Sequence, residues 1–227
     1  AKTAFLCPVK YHSKKKLMLP TPPQKNEQPV IVVGKSGRRA FTREAFQQKS
    51  GLIYTPHLQF ASEKLHQEIK QRSKAAVALQ KVSIRPALLG KKYREKIEEG
   101  AVNRVYIKWI EQDVGLGLFA DRDFSSEEYV GEYTGIVRKC WMFFSGCNDY
   151  CFRYPLYRIG PRIYTVDATH YCNETSFMNH SDTPNCEAVV VWYQDLFHIC
   201  IRTLRTIAKD EELTFDYGIK KYERRTV

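Results

Sequence analysis

No run of apolar residues in this 227-residue chain approaches the roughly 18 needed to cross a bilayer, so a membrane partner is not expected. The basic residues among the first twenty positions are followed by no continuous apolar core, so no secretory signal is expected either. The seven cysteines are odd in number and irregular in spacing, which argues against a disulfide framework and for free thiols in a reducing, intracellular compartment. Cys140, Cys147 and Cys151 form the only cluster. No second half with ligand spacing follows it, so ordinary thiols are the expected reading and no metal is assigned. There is no internal repeat, and the C-terminal half offers no nucleophile with an obvious base beside it.

Acidic residues are scarce in one part of the chain only. Residues 1 to 100 hold 21 Lys and Arg against 7 Asp and Glu, whereas residues 101 to 227 hold 15 against 18. The net charge of +11 therefore belongs to the N-terminal part. That asymmetry favours an acidic partner there, nucleic acid first, with a merely solvated basic face as the competing reading.

Taken in order, residues 1 to 28 read as a flexible basic arm, since Lys14-Lys15-Lys16 and Pro20, Pro22 and Pro23 disfavour helix. Residues 29 to 101 read as a basic, mainly helical region. Its short apolar run at 29 to 33 suits a strand. Gly34-Lys35-Ser36 lacks the Gly at position 29 that a phosphate loop requires. Thr42 and Ser62 are placed to cap helices, the second with Leu65, Ile69 and Ala76 on one face. Leu89, Tyr93 and Ile97 have helical spacing after Pro86, with Gly100 placed to stop that helix. From residue 102 the period shifts to two: Val105, Ile107 and Trp109 alternate with Tyr106 and Lys108, as in a half-buried strand. Many short strands are then expected through residue 218, with a tail over 219 to 227.

Two polar knots interrupt this strand-rich half, Asn179-His180-Ser181-Asp182-Thr183-Pro184-Asn185-Cys186 and Glu211-Glu212-Leu213-Thr214-Phe215-Asp216-Tyr217-Gly218. Between them an apolar stretch breaks at Gln194-Asp195, where a hairpin would turn and bring the knots together. Gly115-Leu116-Gly117-Leu118-Phe119-Ala120 is not followed by a helix, so the glycines are read as admitting a close backbone approach rather than as a dinucleotide fingerprint. Asn179 and Tyr217 supply an amide and a phenol suited to a zwitterionic ligand, and the surrounding tyrosines suit a cation or amine against aromatic faces.

The glycine run, Glu132-Tyr133-Thr134-Gly135, Val166-Asp167-Ala168, Phe177-Met178-Asn179-His180-Ser181 with Pro184-Asn185, and Glu212 to Gly218 stand in the order found in SET-domain protein lysine methyltransferases. The stretch from 104 to 218, about half of the chain, resembles that family. The resemblance implies a mainly β fold with some α, of short sheets whose C-terminal segment is threaded as a pseudoknot, and S-adenosyl-L-methionine as cofactor. Gly115, Leu116, Gly117, Tyr150, Asn179 and His180 would bind the cofactor. Tyr133, Phe152, Phe215 and Tyr217 would line the lysine channel, with Tyr217 and Tyr133 in catalytic roles. Phe215 stands where a Tyr limits transfer to one methyl, which implies di- or trimethylation.

The implied substrate is a basic protein, a histone or histone-like protein, met at chromatin in a nucleus, as the target of a host-directed bacterial effector, or otherwise in a cytoplasm. A catalytically weak chromatin- or DNA-binding module on the same scaffold is the alternative. Three departures stand out: Ser176 where many members have Arg, Asp182 where Cys is common, and no cysteine-rich segment after Tyr217. Tyr222 or a second subunit, in a homodimer, would then close the channel.

Overall fold

The structure, a computed structural model, describes residues 28–79, 83–141, 150–156 and 162–217. The expected basic arm up to residue 27, Cys147, Gly218 and the tail with Tyr222 lie outside the described residues. The chain is mostly β with a few helices.

The segment expected to be mainly helical carries three helices and four strands: β1 (Val30–Gly34), β2 (Gly37–Phe41), α1 (Arg43–Ser50), β3 (Ile53–Tyr54), β4 (Gln59–Phe60), α2 (Glu63–Ala78) and α3 (Arg85–Glu98). Thr42 and Ser62 cap α1 and α2, their hydroxyls accepting from the amides of Ala45 and Leu65 at 3.2 Å. Leu65 and Ile69 are buried as expected, but the third buried position of α2 is Ser73 rather than Ala76.

There follow β5 (Val105–Trp109), β6 (Leu116–Ala120), β7 (Tyr129–Glu132), β8 (Ile136–Trp141), β9 (Cys151–Arg153), β10 (Arg162–Asp167), β11 (Tyr171–Cys172), a 3-10 turn at Glu174–Phe177, β12 (Asn179–His180), β13 (Cys186–Tyr193), β14 (Leu196–Thr203) and β15 (Glu212–Phe215). The sheets run β12-β15-β6-β5-β1-β2, β4-β8-β10-β9, β13-β14-β7 and β11-β3. The N-terminal strands are therefore built into the sheets of the rest. β1 lies parallel to β5, β3 to β11 and β4 to β8. Helix α3 packs Leu89, Tyr93 and Ile97 with Val189 and Val191 of β13 in one core cluster, each such burial stabilising by about 1.5–3 kcal/mol.

The hairpin forms at the predicted break. Gln194 and Asp195 both take left-handed φ values, 49° and 64°, the two-residue geometry that matches strand twist. In β5 the expected alternation holds for Val105 and Ile107 and fails at Trp109, which is 46% exposed. Tyr106 is buried instead, its ring stacked on Phe119 at 5.5 Å, because this sheet is covered on both faces over its first half and opens only at the Trp109 end.

Candidate active site

The last strand, β15, lies between β12 and β6, parallel to the first and antiparallel to the second. The C-terminal segment is thus enclosed in the sheet, as a threaded arrangement requires. Asn185 holds it there: its amide nitrogen donates to Glu211 Oε1 and to the Glu212 carbonyl at 3.0 and 2.7 Å, and its oxygen accepts from the Thr214 amide at 2.9 Å. Asn179 is paired with Thr214 and His180 with Phe215. The Tyr217 amide donates to His180 Nδ1 at 3.2 Å, and the Tyr217 phenol to the Met178 carbonyl at 2.6 Å. The two polar knots are therefore neighbours.

The four aromatic residues singled out from the sequence form one row. Tyr133 meets Phe152 edge-on at 4.7 Å, Phe152 stacks on Phe215 at 5.5 Å, and Phe215 meets Tyr217 at 4.7 Å. Tyr133 is 3% exposed, and burial, together with Tyr217 and Cys151 nearby, pushes its phenol well above the ordinary tyrosine range. It stays a neutral donor, bonded to the Tyr150 carbonyl at 2.9 Å. Tyr150 itself heads β9 with 43% of its surface exposed, and its carbonyl also accepts from the Ala168 amide.

On the other side of Asn179 lies the glycine turn. Gly115 has a φ of +82°, which favours glycine. A Cβ on Gly117 would stand 2.6 Å from Ile110 Cδ1, 2.8 Å from Glu212 Oε1 and 3.2 Å from Asn179 Nδ2. The Asn179 amide donates to Glu212 Oε1 at 2.8 Å and to the Leu116 carbonyl at 3.2 Å. Sequence reading did not give Glu212 a role. The signal was its place in the second polar knot, one residue before the strand's first buried position.

Two departures take definite positions. Ser176, in the place of an arginine, turns its hydroxyl back onto the Asn173 carbonyl at 2.9 Å. Asp182 is exposed, with Oδ1 3.6 Å from His180 Nε2, while Asp216 lies 3.8 Å from His180 Nδ1.

A supporting layer beneath the 3-10 turn was not anticipated. Asn173 Nδ2 and Thr175 Oγ1 both donate to the Glu132 carbonyl, at 2.8 and 3.2 Å, which ties the turn to the residue before Tyr133. Glu174 is buried and accepts from the Tyr54 phenol at 2.8 Å, while the Arg43 guanidinium lies 4.7 Å over the Tyr54 ring. Desolvation raises the Glu174 carboxyl above its ordinary range in spite of these partners. Helix α1 and β3 thus brace the turn that delivers Asn179.

An aromatic row ending beside an Asn-His pair and a close-packed glycine turn, with the last strand enclosed, is the arrangement of a SET domain, and the family model for "SET domain" matches residues 115–218. The chain carries a SET domain. Among curated proteins it is 37% identical over 109 residues to the human "Histone-lysine N-methyltransferase 2B", an overlap of 45% of this chain and 4% of that protein. It is 34% identical over 117 residues to the "Histone-lysine N-methyltransferase, H3 lysine-4 specific" of Aspergillus fumigatus, covering 48% of this chain and 9% of that one. The chain therefore spans less than a tenth of the length of these relatives. Among solved structures, the humanized mutant of the Chaetomium thermophilum Polycomb Repressive Complex 2 bound to the inhibitor GSK126 is 27% identical with a TM-score of 0.46, covering 54% of this chain and 16% of that one. Among the described residues no helix is long and apolar enough to cross a membrane.

Proposed function

We propose that the chain is an S-adenosyl-L-methionine-dependent protein lysine N-methyltransferase, acting on a histone or histone-like protein. The observation that carries this reading is the continuous row Tyr133–Phe152–Phe215–Tyr217, which ends against the Asn179–His180 strand.

The residues fit the cofactor. Gly117 lets Asn179 and Glu212 pack against the turn, where any Cβ would displace them. With the Asn179 NH2 group bonded to Glu212 and Leu116, the Asn179 side-chain oxygen and the Glu212 carboxylate offer acceptors for the ammonium end of an amino acid. Gly115, Leu116 and Gly117 would hold its methionine portion with backbone groups, Asn179 its polar end and His180 the side of the adenine. Tyr150, whose ring is exposed, would lie over it. The cofactor supplies a methyl group on a cationic sulfonium.

The chain's own residues handle the lysine. An ammonium has no lone pair, and an aromatic wall disfavours the charged form by desolvation, so Tyr133, Phe152 and Phe215 favour the neutral amine. The Tyr217 hydroxyl, fixed by its bond to the Met178 carbonyl, orients that amine at the end of the row. Alignment of nucleophile and methyl group then provides most of the acceleration. Phe215 adds no polar group to the row, which leaves room for a second and third methyl.

The net charge of residues 101 to 227, 15 basic against 18 acidic, suits a cationic peptide, and the relatives are named for histone lysine. Chromatin is the matching location. Histones incubated with labelled cofactor should take up methyl groups, and Tyr217→Phe and Asn179→Ala should each reduce uptake by about tenfold or more. Equal incorporation by wild type and both variants would remove the reading.

A further inference from the structure

The six-stranded sheet leaves a half-open cavity of about 890 Å³ between its β1-β2-β5 end and helix α1, within the range of small-ligand sites. Its floor is aromatic, with Phe41, Phe46 and Phe177, and Trp109 stands at its open side, 46% exposed. Lys35, Arg39 and Lys49 also line it, and no lining residue carries a carboxylate. Among the described residues none of the three cations is paired with an acid, and the Lys49 ammonium sits 5.7 Å over the Phe41 ring. Unneutralised cations around a low-dielectric floor concentrate positive potential and attract an anion.

The charge pattern narrows the occupant. The chain's first 27 residues carry six Lys against one Glu, so that segment would add like charge to the rim. A histone tail is cationic too. An anion alone would leave the exposed Trp109 uncovered. A flat base carrying a phosphate satisfies both, with the base on Trp109 or the phenylalanines and the phosphate among the three cations.

We propose that this cavity binds a base-plus-phosphate unit, presented by single-stranded nucleic acid. It lies apart from the aromatic row: Trp109 is paired with Leu116 across β5 and β6, on the sheet face opposite Gly117. The two sites meet at Leu116, which lines the cavity and whose carbonyl accepts from the Asn179 amide. The proposal does not depend on methyl transfer.

Fluorescence anisotropy of the full chain with a labelled single-stranded dodecamer tests it, alongside AMP, the matching duplex and inorganic tripolyphosphate. The single strand should bind with a salt-dependent affinity. Replacing Lys35, Arg39 and Lys49 together by Ser should weaken it about tenfold or more and flatten the log–log salt slope by about 2, at roughly 0.7 per lost phosphate contact. Trp109→Ala should weaken it about tenfold or more with the slope unchanged, and should leave tripolyphosphate binding unaltered. Competition by AMP at millimolar concentration would identify a free nucleotide as sufficient, and binding of the strand without AMP competition would identify the polymer as the source; each supports the site. Tighter binding of the duplex than the strand, equal binding by the Trp109 variant, or equal binding by the triple variant would overturn it. Histone methylation by the triple variant should match wild type. Absence of strand binding by the wild-type chain, with its methylation intact, would sink this site alone, and absent methylation with strand binding intact would sink only the enzyme reading.

Discussion

The Phe215 ring lies face to face with Phe152, their centroids 5.5 Å apart and their planes 20° from parallel, with Phe215 only 4% exposed. A hydroxyl added at the tip of this ring would enter a row that otherwise presents aromatic carbon between the two end tyrosines, and a buried hydroxyl needs a polar partner that would share the same space. Phe215→Tyr is therefore expected to fill the space a methylated amine would use. Mass spectrometry of a methylated histone peptide should show the product shifting to the monomethyl form. Undiminished di- and trimethyl product from this variant would remove the role given to Phe215.

Gly117 tests the cradle without touching the aromatic row. The atoms a Cβ would meet are the ends of Ile110, Glu212 and Asn179, all side chains that can swing aside. Gly117→Ala should therefore fold with a melting temperature within a few degrees of wild type, while displacing the Asn179–Glu212 bond. Calorimetric titration with S-adenosylhomocysteine should show affinity lower by about tenfold, ~1.4 kcal/mol. Unchanged affinity would place the cofactor elsewhere.

Much of this site was legible because its signals are local. Gln194-Asp195 breaks an apolar run at hairpin distance, and that alone implied that Asn179 and Tyr217 meet. Thr42 and Ser62 announced their helices by capping chemistry. What escaped was non-local. A two-residue strand such as β3 or β4 has no period to detect, so its pairing with β11 or β8 cannot be read from sequence. For the same reason Tyr54 and Glu174, 120 positions apart, gave no sign of their hydrogen bond. Trp109 was misplaced because alternation reports a strand's faces and not where the covering layer ends.

Helix α3 offers a test of packing in which two effects oppose each other. Alanine at position 90 would gain about 1 kcal/mol of helix propensity over glycine. Its Cβ, however, would stand 2.1 Å from the Trp192 carbonyl oxygen, a backbone atom of β13 that cannot swing away. Overpacking of this kind costs about 1–3 kcal/mol and sometimes more, so the clash wins. Gly90→Ala should lower the denaturant midpoint, while Lys91→Ala on the exposed side of the same helix should leave it nearly unchanged. A Gly90→Ala protein as stable as wild type would show that α3 is free to move off β13.

Two histidines near Glu132 shift in opposite directions, and the sign of each sets one limb of the stability profile. Burial lowers the His57 imidazole below the ordinary value near 6.5, outweighing the pull of Glu132. As pH falls through that ordinary value the unfolded chain takes up a proton that folded His57 refuses, so stability is lost on the acid side. His198 is buried as well, but Glu132 Oε1 lies 2.7 Å from its Nδ1, and this attraction outweighs desolvation and raises its value. Its contribution is complete below the unfolded value and disappears as pH rises through the folded one, leaving the buried Glu132 carboxylate uncompensated. Melting temperatures measured from pH 5.5 to 8.5 should therefore fall on both sides of a maximum near the ordinary histidine value. Relative to wild type, His57→Gln should flatten the acid limb, and His198→Gln should lower the whole curve while flattening the alkaline limb. An alkaline limb that persists unchanged in His198→Gln would mean that the Glu132–His198 pair does not set it.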